Sequence, residues 1–203
     1  MIAQKLNFCF KGSRDYVHGT DIFNELKNCF DNSFNYERAM LDLSFHGVAK
    51  KNLDIIEGVV PDAKGIIKFF DKFFDTNNNR KTYSLVENKN DIDCRYEYPE
   101  KNIINLSTVD FNTQVVSLEE YTSFSFIENI VALNKHLLES IFSKVSGKWY
   151  FTRLQLKRIP LVDYPVKLEF RSNFNFKLTK TEVFLNSESV GFIYFSLVSN
   201  NRG

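Results

Sequence analysis

Two helical stripes interrupt a chain that otherwise reads as strand-like segments, and each stripe has a short β-prone run before it and several runs after it. In the first half, Leu6 to Phe10 is β-prone. Thr20 to Phe30 then sets Ile22, Leu26 and Phe30 four residues apart, with Phe23 and Cys29 beside them. Residues four apart share one face of a helix, so this is an amphipathic helix. Thr20 or Asp21 is placed to cap it by accepting a first-turn amide. Strand-like runs follow at Ala39–Phe45, Gly65–Phe74, Lys81–Glu87, Asp93–Tyr98 and Ile103–Val109. Turn-forming residues at Val60–Ala63, Asp75–Asn79 and Asn88–Asp91 separate them. The second half repeats the order. Thr113–Leu118 reads as a strand, and Ser125 with Glu128 forms a capping box. The helix behind it carries Ile127, Ile130, Val131, Leu138, Ile141 and Val145 on one face. Runs at Trp149–Arg158, Val166–Arg171, Phe174–Phe184 and Val190–Ser199 come next, with a hairpin turn at Asn186-Ser187-Glu188-Ser189.

One helix followed by a series of hairpins predicts an α+β arrangement in which an antiparallel sheet wraps the helix. A chain of 203 residues with 43% hydrophobic content can bury a full core, and no Pro-, Gly- or Ser-rich linker divides it. The 26 basic and 25 acidic residues leave a net charge of +1, without the basic excess that a nucleic-acid-binding surface needs. No run approaches the roughly 18 apolar residues of a membrane span. Met1 to Lys5 lacks the charged-then-apolar order of a signal peptide. The three cysteines, Cys9, Cys29 and Cys94, are odd in number and without metal-type spacing. That pattern predicts a reducing, cytoplasmic setting, no disulfide framework and no metal site.

Specific stretches then carry a family resemblance. Behind the second helix stand Trp149–Leu154, Tyr164–Glu169 and a hairpin from Thr181–Phe184 to Gly191–Tyr194, and His18-Gly19-Thr20-Asp21 stands at the first helix start. In these the chain resembles the hot-dog fold, the class of acyl-thioester enzymes, in its double version. The resemblance implies two tandem hot-dog repeats, 1–110 and 111–203, forming one double unit in which each long helix is wrapped by an antiparallel sheet. It implies thioesterase or dehydratase chemistry on an acyl thioester of coenzyme A or an acyl carrier protein, in fatty-acid or polyketide-like metabolism. No cofactor is implied. A double hot dog closes its interface within one chain, so a monomer is expected; apolar strand faces leave a homodimer open.

The candidate site is the run from Arg14 to Asp21. A helix N-terminus offers free amides and partial positive charge, suited to a polarised carbonyl oxygen. By resemblance, the amide of Gly19 or Thr20 holds the thioester carbonyl, and Tyr16 joins them on the substrate side. An unperturbed histidine titrates near neutrality, so the residue type of His18 suits acid–base work, and Asp21 is placed to orient it or to activate water. The same run also has a purely structural reading: a turn glycine, then Thr or Asp as cap, with Arg14 and Asp15 as a surface pair. In hot-dog dehydratases a carboxylate on the other copy's helix completes the site, and this chain has Asn134 there. An amide in an apolar stripe must bind substrate or tie the helix to the sheet, since burying it unpaired costs about 1–3 kcal/mol. Glu128 is absorbed by the capping box, Glu139 and His136 fall on the solvated face, and Asn24 and Glu25 lie near where a carboxylate is wanted. His46 reads as structural. Arg153, Lys157 and Arg158 are placed either to meet the phosphates of a carrier arm or to form a solvated strand face. The missing carboxylate supports the alternative of a non-catalytic acyl-binding or partner-binding protein.

Overall fold

Residues 2–30, 39–71, 80–160 and 164–199 are described by the computed structural model. Its elements run β1 (Ile2–Leu6), β2 (Phe10–Lys11), α1 (Gly19–Phe30), β3 (Ala39–Phe45), β4 (Leu53–Glu57), β5 (Gly65–Asp71), β6 (Arg80–Glu87) and β7 (Arg95–Tyr96). Then come α2 (Lys101–Asn105), β8 (Thr108–Asp110), β9 (Val115–Leu118), α3 (Phe126–Ile141), β10 (Lys148–Leu156), β11 (Val166–Phe174), β12 (Leu178–Leu185) and β13 (Glu188–Val198). They fall into two units, Met1–Pro99 with Gln155–Ile159, and Glu100–Leu154 with Pro160–Gly203.

In the first unit the strand order is β1-β4-β6-β5-β3, every pair antiparallel. Successive strand residues point to opposite faces, so alternate positions form the core. Leu41 and Leu43 of β3, Leu53 and Ile55 of β4, Ile67 and Phe69 of β5, and Leu85 of β6 are buried, as are Ile22, Phe23 and Leu26 of α1. The second unit runs β9-β11-β12-β13-β10, with β8 outside β9. Here α3 lies on β9, β11 and β13, with α2 beside it. Its apolar stripe of Ile127, Ile130, Val131, Leu133, Leu137 and Leu138 is buried. The expected capping box starts it, with the Ser125 amide donating to Glu128 Oε2 at 2.9 Å.

Each unit has a strand, a long helix and four further strands, but the units are not superposable in strand order. Counting strands within each unit, the second runs first, third, fourth, fifth, second; the first runs first, third, fifth, fourth, second, because β6 lies between β4 and β5. A strict tandem repeat is therefore not what the topology displays.

Several local expectations change. α1 begins at Gly19, and the His18 carbonyl accepts the amides of Asp21 and Ile22, so neither Thr20 nor Asp21 is the cap. β4 was not expected, because the apolar pair Ile55-Ile56 blurs its alternation. Ile103–Val109 is not one strand but α2 followed by β8. Pro99 and Glu100 start a helical turn in which only Ile103 is buried. Asp93–Tyr98 shrinks to the two residues of β7, and Val145 lies past the end of α3. Phe174–Phe184 is split by a turn at Asn175 and Phe176, whose φ values are 47° and 58°. No glycine announced that turn; the Phe176 ring is held 5.2 Å from that of Phe142. The expected hairpin turn forms at Asn186 and Ser187, with φ of 47° and 65°, the left-handed pair that a two-residue turn requires. The end of the expected Gly65–Phe74 run, the Asp75–Asn79 turn and the Phe30 side chain lie outside the described residues.

The cysteine reading is overturned. Cys9 and Cys94 form a disulfide across 85 residues of sequence. β2 and β7 pair in parallel, Phe10 opposite Arg95 and Lys11 opposite Tyr96, which brings the two preceding residues together. Such a pair removes the argument for a reducing compartment, since lasting disulfides belong to oxidising ones. Cys29 keeps its thiol; burial, and then the Glu25 carboxylate, push its pKa up. No helix among the described residues is long and apolar enough to cross a membrane.

Candidate functional site

Lys11 is the centre of the arrangement at the start of α1, and its side chain is fully buried. A buried ammonium survives only when paired and hydrogen-bonded. Its Nζ lies 2.9 Å from Asp21 Oδ1 and 3.0 Å from Thr20 Oγ1. It also stands 4.2 Å from the centroid of the Tyr98 ring and 5.6 Å from that of Tyr96, where the negative faces of the rings attract a cation. The pairing of β2 with β7 puts Lys11 under these rings. Gly12 then turns the chain at φ +59°, a conformation a β-carbon resists. The Val17 amide bonds to the Ala49 carbonyl at 2.7 Å, and that anchor delivers His18 to the helix start.

His18 is buried, with Nδ1 2.7 Å from Thr20 Oγ1. Thr20 Oγ1 in turn donates to Asp21 Oδ1 at 3.2 Å. A hydroxyl has one proton and two lone pairs, enough for all three of its contacts. With His18 in the Nδ1–H tautomer, Nδ1–H and the Lys11 ammonium donate to Thr20 Oγ1, and the Thr20 hydroxyl donates to Asp21 Oδ1. Asp21 therefore acts on the imidazole through Thr20 and not by direct contact. Proton transfer to or from a bound molecule would run through Nε2, because Nδ1 is engaged. Asp21 Oδ2 is buried without a hydrogen-bond partner among the described residues. Gly19 and Thr20 supply the first amides of α1, outside the helix's own ladder. Tyr16 is half-buried two residues before His18.

The structure thus brings His18, Thr20 and Asp21 together, with Gly19 and Tyr16 adjacent in the chain. Asn134 belongs to the other unit. It sits on α3 at 0% exposure, and neither its Oδ1 nor its Nδ2 has a hydrogen-bond partner among the described residues. No tie to the sheet is present among the described residues, so the amide is a net burden on the fold. Asn134→Leu, close in volume, is expected to raise stability by about 1–2 kcal/mol, read from urea denaturation. A loss would show that the amide is bonded in solution.

Sequence reasoning missed Lys11, Tyr96 and Tyr98. The available signal was a lysine closing the apolar run Phe8-Cys9-Phe10 with an aspartate ten residues on. It also missed a closed network in the second unit. Tyr164 Oη accepts from the Thr122 amide at 3.0 Å and from Asn129 Nδ2 at 2.7 Å, and Thr122 Oγ1 donates to Asn129 Oδ1 at 2.8 Å. With every group satisfied, the network braces the approach to α3. His46 pairs with Ser44 Oγ at 3.2 Å on the surface, and the Arg153 guanidinium stands 5.7 Å from the Tyr194 ring centroid. No group of three or more His, Cys, Asp or Glu side chains suited to a metal ion occurs among the described residues.

The chain matches no protein-family model, and no curated relative matches it. Similar solved structures do exist. The dehydratase domain of PpsC from Mycobacterium tuberculosis, in complex with C12:1-CoA, is 9% identical at a TM-score of 0.48, covering 96% of this chain and 92% of that one. The dehydratase domain of RzxB from Pseudomonas fluorescens is 9% identical at 0.44, covering 96% and 98%. The tesB protein MAP1729c of Mycobacterium avium subs paratuberculosis is 9% identical at 0.43, covering 92% and 88%. None of these likenesses bears on a residue of this chain.

Proposed function

We propose that this chain acts on acyl thioesters of coenzyme A or an acyl carrier protein, at the start of α1. The observation that supports this reading is the His18–Thr20–Asp21 relay at a helix N-terminus. The amides of Gly19 and Thr20 would hold the thioester carbonyl, and Tyr16 would line the acyl side. In hydrolysis, His18 Nε2 takes a proton from water, the hydroxide adds to the carbonyl, and the proton returns to the departing thiolate. Dehydration needs in addition an acid for the leaving hydroxyl. Asn134, standing where the resemblance wants a carboxylate, has no such proton, so hydrolysis is the better supported of the two. In the same reading the units are two hot-dog repeats, 1–110 and 111–203, one of which has exchanged two strands. A cytoplasmic location fits the substrate, and disulfides in that compartment are mostly transient or redox-sensing.

One observation favours a second reading, a non-catalytic acyl-binding protein: Lys11 engages Asp21, the carboxylate this mechanism would use. Mass spectrometry after incubation with acyl, 3-hydroxyacyl and enoyl thioesters, first on coenzyme A and then on carrier protein, separates them. Release of free acid is expected, slowed about 100-fold or more by His18→Ala. Hydrolysis unaffected by that substitution would remove His18 from the mechanism. Binding with every thioester returned intact would establish the second reading.

A further inference from the structure

We propose that the Cys9–Cys94 disulfide is a thiol-operated latch, whose opening exposes the buried Lys11–Asp21 cluster to water. The segment from Asn88 to Pro99 has no regular structure apart from the two residues of β7. It nevertheless supplies the Tyr96 and Tyr98 rings that stand against the Lys11 ammonium. Besides the disulfide, the Cys94–Pro99 end of this strap is held by backbone bonds from Phe10 N to Cys94 O (2.9 Å) and from Gly12 N to Tyr96 O (2.8 Å), while its Asn88–Asp91 end is tied to Asn52 and Lys51 and stays in place as the hinge. The Arg95 guanidinium adds exposed bonds to the carbonyls of Gly12 and Arg14. Exposed hydrogen bonds of this kind open readily, whereas the covalent bond does not. Cys94 is exposed and Cys9 half-buried, so an incoming thiolate meets the Cys94 sulfur first.

The exchange balances with a dithiol as reductant. Its thiolate attacks Cys94 Sγ, the S–S bond breaks, and Cys9 leaves as a thiolate that takes a proton from water. The second thiol of the reagent then displaces Cys94, giving two protein thiols and the oxidised dithiol. Cys29 lies in α1 with its thiol pKa raised, which makes it a poor competitor for either sulfur. With the latch open, the strap lifts, the rings leave Lys11, and the ammonium reaches solvent. The inference concerns access to Lys11 and holds whether or not the chain acts on thioesters.

The test is pulse acetylation of the full chain with an N-hydroxysuccinimide ester, before and after treatment with dithiothreitol, read by peptide mass spectrometry. Lys68, exposed on β5, serves as the internal reference. In the oxidised protein Lys11 is expected to label at least 100-fold more slowly than Lys68. Reduction should speed Lys11 at least tenfold and leave Lys68 unchanged, and reoxidation should restore protection. The Cys9→Ser/Cys94→Ser variant should show the fast rate in both conditions. Hydrogen exchange of the β4 and β6 amides, followed in parallel, must stay slow. Equal protection before and after reduction would overturn the latch. So would Lys11 labelling that appears only when those core amides exchange, since that is global unfolding.

Discussion

Lys11→Met is expected to lower the free energy of unfolding by about 3–5 kcal/mol, the range found when one partner of a buried ion pair is removed. Methionine replaces the aliphatic stem of lysine with little change in volume, so the loss is electrostatic and not a cavity. What remains is the Asp21 carboxylate, 13% exposed, with Oδ2 already lacking a partner and Oδ1 reduced to the Thr20 hydroxyl. The two tyrosine rings lose their cation as well. If desolvated charge is the cause, neutralising it must help. Asp21→Asn in the Lys11→Met background is therefore expected to recover at least half of the loss. Asp21→Asn alone is destabilising, because it leaves the ammonium without its anion. The coupling from a double-mutant cycle should reach about 2 kcal/mol, measured by urea denaturation followed by circular dichroism. A Lys11→Met loss below about 1 kcal/mol would mean that water already reaches the pair.

The contrast between what was and was not legible follows the range of each signal. α3 could be read because its stripe and its Ser125–Glu128 box are local, and the turn at Asn186 and Ser187 because its residues tolerate positive φ. His18, Thr20 and Asp21 could be found because they are neighbours in the chain. Asn134 stood out as an amide in an apolar stripe, and its lack of a partner only the fold displays. Lys11 was illegible for a different reason. Its burial depends on Tyr96 and Tyr98, more than eighty residues away in sequence, and periodicity carries no information at that range. The disulfide was hidden by the same separation, and counting three cysteines pointed the wrong way. The position of β6 between β4 and β5 has no local correlate either: only long-range pairing sets their order.

Removing the disulfide by Cys9→Ser/Cys94→Ser is expected to cost about 4–5 kcal/mol and to lower the melting temperature by roughly 10–15 °C. The reason lies in the unfolded chain. A bond spanning 85 residues closes a long loop, and opening it returns that conformational freedom to the unfolded state. Little is lost on the folded side, since serine is nearly the size of cysteine and Cys94 is exposed. Calorimetry of oxidised, reduced and double-serine protein should therefore place the last two at one midpoint, well below the first. A drop under about 1 kcal/mol would show that opening the bond returns little freedom to the unfolded chain, and would overturn the loop-closure account. At the expected size, a domain with ordinary stability of 5–15 kcal/mol stays folded when reduced. That margin is what allows one exposed bond both to hold the fold together and to control access to the cluster beneath it.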